Sequence, residues 1–444
     1  MNHKLSISIF FIISSFAQLS AQDLPGNSIW QGDLEGIRLI LKISKDSITK
    51  QNMAVFDSPD QGAMGLEVSE LLITKDSITA FSKVIGGGFY GAFNEGRTEL
   101  IGEWRQGGTL PLVLKKVDQE VEVKRPQTPK APFPYVEEKV IYHNQDQSIQ
   151  YGATLTIPDT SDNVPAVILI SGSGQQDRDE TLFGHKPFWV IADYLSRNGI
   201  AVLRVDDRGI GETTGEVMSA TSMDFANDVL QGIAYLQADK RINHKMIGLI
   251  GHSEGGIIAP LVANKSKDIA FIISLAGVGI KGIELLEKQM ERGNAQLGLN
   301  PQEAIKLDSL TSMLIELPEK YPEKEQLQPI FAEKMQEWLT NQPDSLLKKL
   351  GFVGPNANRN IDQMACRFFL PWMRYFLKYD PANTLANITI PVLALNGEKD
   401  TQVSAKENLA GFDNSLSKAG NKNFKTISLP NLNHLFQHAE SGDM

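Results

Sequence analysis

The sequence predicts an α/β protein in which a mostly parallel sheet carries helices on both faces, preceded by a smaller all-β domain. Two observations support this prediction. From about residue 135 onward, short β-branched apolar runs alternate with amphipathic segments, which is typical of a parallel sheet covered on both faces. Residues 22–117 instead show period-2 alternation and frequent turn signals, without a helical pattern.

Composition limits the classes of function. The chain has 444 residues, of which 41% are hydrophobic and 22% charged, as in ordinary soluble globular proteins. Its net charge of −10 argues against nucleic acid or an anionic membrane surface as the main partner. Because Cys366 is the only cysteine in the sequence, the chain can form neither an intramolecular disulfide nor a cysteine-rich metal site.

The N-terminus has the layout of a cleavable signal peptide. Lys4 precedes an apolar stretch over residues 5–17, and small and polar residues follow it. The stretch is too short and too rich in serine for a membrane span of about 20 apolar residues. Cleavage fits after Ala17 or after Ala21. We therefore expect residues 1–21 to be removed and the mature protein to be periplasmic or extracellular.

Residues 22–117 are expected to form an antiparallel meander. Apolar side chains alternate with mostly polar neighbours over residues 37–43. The segment 44–49 recurs with one change as 74–79, and its Lys-Asp-Ser core suits a polar hairpin tip. A coincidental similarity between two turns is the alternative. Since the domain contains no catalytic cluster, we expect it to have a structural or substrate-positioning role.

Prolines among charged residues predict an extended linker over 118–134. An α/β domain is then expected over 135–444. Its predicted elements are a strand pair within 137–157, strands at 166–171, 200–205, 246–250, 269–275, 388–395 and 424–429, and helices at 187–198, 222–238 and 254–264.

Residues 279–380 interrupt the alternation with charged, helical sequence. An insertion between two sheet strands lies where ligands enter such sheets, so we predict a helical cap over the site. A helical appendage that shields a sheet edge is the alternative. The aromatic segment 368–376, which includes Trp372, fits either an acyl pocket or core packing.

Residues 251–256 read Gly-His-Ser-Glu-Gly-Gly and follow directly on an apolar strand. Gly251 and Gly255 allow a sharp turn from strand to helix, which would project the Ser253 hydroxyl from the turn. The Gly-x-Ser-x-Gly pattern arises by chance roughly 0.2 times in a chain of this composition. Alone, it also fits a plain turn before a helix. A nucleophilic serine needs a base, a group that orients the base, and donors for the oxyanion.

The chain supplies a carboxylate and a histidine on later loops, each after a predicted strand. Asp400 is the candidate carboxylate, with Glu398 as its competitor. His434 is the candidate base, with His438 as its rival. Because the carboxyl ends of parallel strands meet at one edge of the sheet, both loops can reach Ser253.

A glycine-rich loop over 172–179 follows another predicted strand. Such a loop could bind phosphate, but it lacks the Gly-Lys-Ser/Thr ending of a P-loop. Beside a nucleophile turn, we expect it to complete an oxyanion hole formed by the amides of Ser173 and Glu254. The charged turn 206–211 fits equally a plain turn with positive-φ glycines and an Asp–Arg network that braces the active-site loops.

In combination, these motifs resemble the α/β-hydrolase superfamily, from about residue 135 to the end. The chain is most similar to exported bacterial serine carboxylesterases of the bile-acid-CoA thioesterase and dienelactone-hydrolase-like group. The resemblance implies Ser253 as nucleophile, His434 as base and Asp400 as the group that orients it, with no metal or cofactor. The matching segments are 172–179, 207–211, 251–256, 397–403 and 433–437.

The resemblance also sets two further expectations. The superfamily normally ends with a helix packed on the sheet, whereas only ten residues follow His434, so we expect the C-terminal helix to be missing. The predicted function is hydrolysis of small-molecule carboxylic esters, with short acyl or acetyl groups, through an acyl-enzyme. The alternatives are a serine peptidase of the prolyl-peptidase-like kind and a non-catalytic glycan-binding protein on a hydrolase scaffold. The intact set of Ser, Asp and His argues against the latter.

Overall fold

The chain forms two compact units, which are described separately below. The first comprises the described residues up to Pro126 together with Leu182–His185, and the second comprises the rest. The predicted signal peptide and part of the predicted linker lie outside the described residues. The computed structural model describes residues 27–46, 49–61, 63–106, 108–119, 125–159, 163–354 and 357–442.

The first unit contains a nine-stranded antiparallel sheet in the order β4-β3-β2-β1-β9-β8-β7-β6-β5. Trp30, Phe56 and Phe89 are fully buried in its core, so the predicted all-β fold is confirmed. The strands are β1 (Asn27–Leu34), β2 (Ile37–Lys45), β3 (Asn52–Ser58), β4 (Ala63–Glu67), β5 (Glu70–Ile73), β6 (Ser77–Ser82), β7 (Gly87–Phe93), β8 (Glu99–Arg105) and β9 (Thr109–Val117).

The repeated sequence segments have the predicted positions. The described residues of 44–49 lie at the end of β2 and just beyond it, where the chain turns toward β3. Residues 74–76 join β5 to β6, which also form an antiparallel hairpin. Thr74 stabilises this turn because its hydroxyl oxygen accepts from the Ser77 amide at 3.0 Å. Both copies are therefore associated with hairpin turns.

The second unit is built on an eight-stranded sheet in the order β10-β11-β13-β12-β14-β15-β16-β17. From β13 to β17 neighbouring strands are parallel, whereas β10 and β11 are antiparallel. The strands are β10 (Tyr135–His143), β11 (Gln150–Pro158), β12 (Val164–Ile170), β13 (Ala201–Val205), β14 (Ile242–His252), β15 (Ile269–Leu275), β16 (Val392–Gly397) and β17 (Phe424–Leu429).

Both faces of this sheet are covered. Alternate residues of β12 belong to different apolar clusters, because successive side chains of a strand point to opposite faces. Ile168 packs in the cluster that also contains residues of α2, α3 and α11, whereas Val167 packs with Phe188 and Ala192 of α1. The structure thus confirms the predicted α/β-hydrolase fold. These helices are α1 (Pro187–Arg197), α2 (Ser222–Ala238), α3 (Gly255–Lys265) and α11 (Ala405–Lys418).

Among the described residues, seven helices lie between β15 and β16. Six of them fall in the segment 279–380, which was predicted as a cap, and the seventh follows it directly. Part of this insertion has an apolar cluster of its own, with Leu310, Leu314 and Leu346 fully buried. In the described part of the chain, no helix is both long and apolar enough to cross a membrane. The seven helices are α4 (Gly282–Gln296), α5 (Pro301–Lys320), α6 (Lys324–Thr340), α7 (Asp344–Lys349), α8 (Ala357–Phe369), α9 (Pro371–Lys378) and α10 (Pro381–Leu385).

One strand begins later than predicted. We expected a strand from residue 388, but β16 starts at Val392. Pro391 has no amide hydrogen for a sheet, and the carbonyls of Ile388 and Ile390 each accept from the Asn421 side chain at 2.9 Å. The helix α11 was not predicted, although its buried residues recur at helical spacing.

Candidate active site

Ser253 lies in the turn between β14 and α3. Its φ of +52° places it in the left-handed region that non-glycine residues rarely occupy. The backbone is held there by a hydrogen bond from the Ser253 amide to the Leu275 carbonyl at 2.8 Å. Such strained positions persist only where the surrounding structure fixes them, and they cluster at functional sites.

The flanking glycines are required by close backbone approaches. A Cβ atom on Gly251 would lie 2.0 Å from the carbonyl oxygen of Gly255. A Cβ atom on Gly255 would lie 2.3 Å from the carbonyl oxygen of Ile170. Since real Cβ atoms do not approach backbone so closely, this turn accepts only glycine at both positions. The local geometry is that of the predicted nucleophile elbow.

The structure brings Ser253, His434 and Asp400 together. His434 Nε2 lies 3.1 Å from Ser253 Oγ, and His434 Nδ1 lies 2.7 Å from Asp400 Oδ2. A carboxylate accepts hydrogen bonds, so the imidazole donates from Nδ1 and leaves the Nε2 lone pair facing the serine hydroxyl. This is the arrangement that general-base activation of a serine requires.

Asp400 is buried and accepts hydrogen bonds from four groups of the described residues. Besides His434, its Oδ1 accepts from the amides of Gln402 and Val403, both at 2.8 Å. Its Oδ2 also accepts from Asn396 Nδ2 at 3.0 Å. These bonds fix the carboxylate against the imidazole.

The two rival residues do not join this group. Glu398 is exposed, and its carboxylate accepts from the amide of Asn431 at 3.2 Å. His438 is also exposed, and it forms an isolated β-bridge with Leu432. The geometry therefore favours Asp400 and His434 over these alternatives.

The predicted oxyanion donors lie beside the serine. Ser173 and Glu254 line the same cavity as Ser253. Within the described residues, neither backbone amide donates to a protein acceptor. Both amides are thus available to an oxyanion. A Cβ atom on Gly172, the residue before Ser173, would lie 3.2 Å from Ser253 Cβ, which shows how closely this loop approaches Ser253.

The charged turn 206–211 braces the glycine-rich loop. Arg178 donates from Nε and Nη2 to the two carboxylate oxygens of Asp206, at 3.0 and 2.5 Å. Burial acts to raise the pKa of Asp206, but hydrogen bonds from Arg178 outweigh it and the pKa is lowered. Asp207 accepts from Ser171 Oγ at 2.7 Å. The bracing interpretation is therefore favoured over a plain turn.

A cavity of about 530 Å³ opens beside Ser253 and extends under the helical insertion. Its lining is mostly apolar, as expected of a small-molecule site, and its charged members are Glu254 and Arg367. Part of the aromatic segment packs in apolar clusters and also lines the cavity, so core packing is observed and the acyl-pocket role stays a prediction. The apolar lining residues are Ile257, Val278, Leu285, Leu286, Met290, Leu297, Phe368, Leu370, Trp372, Met373, Phe376 and Val403.

Several polar contacts around the site were missed by sequence reasoning. The buried Glu254 side chain accepts from Ser222 Oγ and from Trp372 Nε1, both at 2.6 Å. Burial raises the pKa of Glu254, and these hydrogen bonds act against that rise. Glu180 and His252 form a second buried pair at 2.8 Å. In the described part of the chain, no three His, Cys, Asp or Glu side chains are grouped as metal ligands would be.

Comparison with known proteins gives matches to hydrolases. A family model described as "Serine aminopeptidase, S33" matches residues 188–320. Esterase EstD of Thermotoga maritima is 26% identical over 286 residues, which cover 64% of this chain. The match spans 58% of the length of that relative.

Solved structures that match the chain include hydrolases at low sequence identity. The Pyrococcus furiosus esterase Pf2001 is 18% identical, with 67% of this chain and 83% of that chain covered and a TM-score of 0.42. Est1E of Butyrivibrio proteoclasticus, solved with ferulic acid bound, is 18% identical, with 65% and 89% covered and a TM-score of 0.37. The α/β hydrolase GrgF of Penicillium is 18% identical, with 68% and 91% covered and a TM-score of 0.41.

Proposed function

We propose that this chain, which belongs to the α/β-hydrolase superfamily, is a serine esterase that hydrolyses small carboxylic esters. The observation that carries the proposal is the hydrogen-bonded series from Ser253 Oγ through the His434 imidazole to the Asp400 carboxylate. The apolar cavity beside Ser253 offers space for the acyl group.

The proposed reaction proceeds through an acyl-enzyme. Ser253 Oγ attacks the ester carbonyl carbon while His434 Nε2 takes the hydroxyl proton, and Asp400 stabilises the imidazolium that forms. The amides of Ser173 and Glu254 donate to the oxyanion of the tetrahedral intermediate. His434 then gives its proton to the leaving alcohol. In the second half, His434 deprotonates water, which attacks the acyl carbon and releases the acid and Ser253.

Hydrolysis of a short-chain p-nitrophenyl ester tests this proposal. We expect Ser253→Ala and His434→Ala to abolish turnover, because each removes a group that the first step requires. His438→Ala, which changes an exposed histidine in the same loop, is the matched control and should retain activity. Hydrolysis that persisted undiminished in Ser253→Ala would overturn the assignment. A fluorophosphonate probe should label the wild-type protein at Ser253.

Within this class we propose short acyl groups as the preferred substrates. The cavity is large enough to admit longer chains as well, so size alone does not set the preference. A series of p-nitrophenyl esters from acetyl to decanoyl measures it directly. An optimum of kcat/KM at eight or more carbons would contradict the short-chain proposal.

The matching family model favours a serine aminopeptidase as a second candidate. The same three residues can cleave amides, and the charged residues of the cavity, Glu254 and Arg367, could pair with a peptide terminus. Rates on matched ester and aminoacyl-amide substrates separate the two candidates. Because a serine peptidase also cleaves a matched ester, the amide decides: the esterase proposal requires that the aminoacyl amide stay uncleaved under conditions in which the ester is hydrolysed.

We also propose that the protein is exported. The support is the signal-peptide layout of residues 1–21. N-terminal sequencing of the protein recovered from outside the cytoplasm should show cleavage after Ala17 or Ala21. Recovery only of cytoplasmic protein that retains Met1 would contradict export.

A further inference from the structure

A second histidine lies beside the proposed base. His252 directly precedes Ser253, and only 6% of its surface is exposed. Its Nδ1 lies 2.8 Å from Glu180 Oε1, and its Nε2 lies 3.1 Å from the backbone carbonyl oxygen of His434. The imidazole rings of His252 and His434 are in contact, with centroids 4.9 Å apart. Both ring nitrogens of His252 therefore face an oxygen.

The partners of these nitrogens determine the protonation state of His252. A backbone carbonyl oxygen only accepts hydrogen bonds, so Nε2 carries a hydrogen. Glu180 Oε1 already accepts from the Gly172 amide at 2.8 Å, as a carboxylate oxygen does. Nδ1 must then donate as well. An imidazole that donates from both nitrogens is an imidazolium, and Glu180 is its counter-ion.

The electrostatic balance agrees with this assignment. Burial disfavours the charged ring and acts to lower the pKa of His252. The Glu180 carboxylate, the His434 carbonyl and the Asp400 carboxylate outweigh burial, so the pKa of His252 is raised. Glu180 is itself only 2% exposed, and in the described part of the chain its ion pair is with His252, which therefore compensates its charge.

The pair connects the three backbone segments on which the proposed reaction depends. His252 is part of the nucleophile turn and holds the His434 carbonyl. Glu180, whose φ is +50°, closes the glycine-rich loop back onto its own first residue, Gly172. Ser173 follows Gly172, so one ion pair restrains both the loop of the base and the loop of a proposed oxyanion donor.

We propose that the His252 imidazolium and the Glu180 carboxylate act as a positioning pair, which fixes the backbone of His434 and of Gly172 relative to Ser253. Neither side chain takes part in the chemical step. The inference rests on the proposed esterase function. It assigns a role to Glu180, which follows the loop 172–179, and to the second residue of the Gly-His-Ser-Glu-Gly-Gly turn.

Measuring kcat per functional active site tests whether the pair positions His434 and Gly172. In His252→Gln and Glu180→Gln the ion pair is lost while side chains of similar size remain. We expect kcat per fluorophosphonate-titratable serine to fall about 10- to 100-fold, because small displacements of reacting groups have effects of that order. KM should change little, since the pair does not contact the substrate cavity. The double variant should lose no more than the worse single one.

Two further comparisons exclude a merely structural role. His244→Gln changes an exposed histidine of the same strand and should leave kcat unchanged. A structural role would reduce the fraction of titratable protein but not kcat per titrated site. An unchanged kcat per site in His252→Gln would overturn the proposal.

A measurement independent of activity separates this inference from the proposed function. In nitrogen-15 spectra of histidine-labelled protein at pH 7, both ring nitrogens of His252, assigned by their absence in His252→Gln, should be protonated. An unprotonated ring nitrogen in the wild type would refute the pair. A wild type that neither hydrolyses esters nor is labelled at Ser253 would refute the esterase proposal, while the spectra would still decide the protonation of His252.

Discussion

Trp372, on helix α9 of the insertion, donates from Nε1 to Glu254 Oε1 at 2.6 Å. Glu254 directly follows Ser253, so this hydrogen bond joins the insertion to the nucleophile turn. Ser222 Oγ donates to the same carboxylate oxygen at 2.6 Å. Because Glu254 is buried, the two donors compensate for the water that its carboxyl group has lost. The insertion is therefore held to the α/β domain by a specific polar contact as well as by apolar packing.

Removing the indole donor should destabilise the protein. Trp372→Phe keeps an aromatic ring but leaves Glu254 with one donor fewer, so we expect the free energy of unfolding to fall by about 1–3 kcal/mol. Urea denaturation measures the change. The control is Trp189→Phe, because Trp189 Nε1 is buried without a hydrogen-bond partner in the described part of the chain. A loss no larger than that of the control would show that the indole hydrogen bond contributes nothing.

The buried carboxylate beside His434 should control the rate of the chemical step. Asp400→Asn keeps the shape of the side chain but presents an amide to His434 Nδ1, which favours the unproductive tautomer. We expect kcat to fall about 1000-fold or more, with the fold intact. Glu398→Gln makes the same chemical change two residues away on an exposed side chain and should have little effect. Similar losses in the two variants would contradict the assignment of Asp400.

Asp207 should make stability depend on pH. Burial raises its pKa from the usual 3.8 to about 7, although hydrogen bonds from Ser171 and Gln176 oppose the rise. The folded protein thus binds this proton more tightly than the unfolded chain does. The contribution of this proton to the free energy of unfolding is therefore fully present below about pH 4 and is lost as the pH rises toward 7. We expect Asp207→Asn to remove a decrease of about 4 kcal/mol in the free energy of unfolding over this window, since each pKa unit corresponds to about 1.4 kcal/mol. Urea denaturation at several pH values measures it.

The neighbouring carboxylate provides the control for this pH effect. Since the pKa of Asp206 is lowered, its contribution to stability is present above pH 4 and is lost only in stronger acid. Asp206→Asn should therefore lower the free energy of unfolding at every pH from 4 to 7. The decrease in that free energy between pH 4 and pH 7 should remain as in the wild type. If the free energy of unfolding of Asp207→Asn still decreased by the same amount between pH 4 and pH 7, a group other than Asp207 would be responsible.

The placement of Ser253, Asp400 and His434 could be predicted because their sequence signals are local. The glycines around Ser253 define a turn within six residues, and Asp400 and His434 each follow a strand whose end lies at a known edge of the sheet. The three side chains and their approximate placement could therefore be predicted from the sequence. The sequence did not indicate the hydrogen bonds of Glu254, since Trp372 lies 118 residues away on a helix whose docking depends on the whole insertion.

The long sequence separation between contacting residues also explains the other features that the sequence did not predict. Glu180 and His252 are 72 residues apart, and their contact requires the left-handed backbone of Glu180, which no residue pattern indicates. The late start of β16 depends on the Asn421 side chain, 31 and 33 residues from the carbonyls that it binds. Long-range polar contacts, rather than the apolar pattern, decided these features.

The nucleophile turn should tolerate no side chain at Gly251. In Gly251→Ala the new Cβ atom would lie 2.0 Å from the Gly255 carbonyl oxygen and 2.2 Å from its carbon, and both are backbone atoms that cannot rotate away. We expect the free energy of unfolding to fall by about 1–3 kcal/mol or more, and labelling of Ser253 by a fluorophosphonate to slow sharply. Gly293→Ala, on helix α4 with open space around its Cβ position, should instead be neutral or stabilise by up to about 1 kcal/mol. Wild-type labelling rates in Gly251→Ala would mean that the turn can open without moving Ser253, and the close approach of Gly255 could then not be what positions the serine.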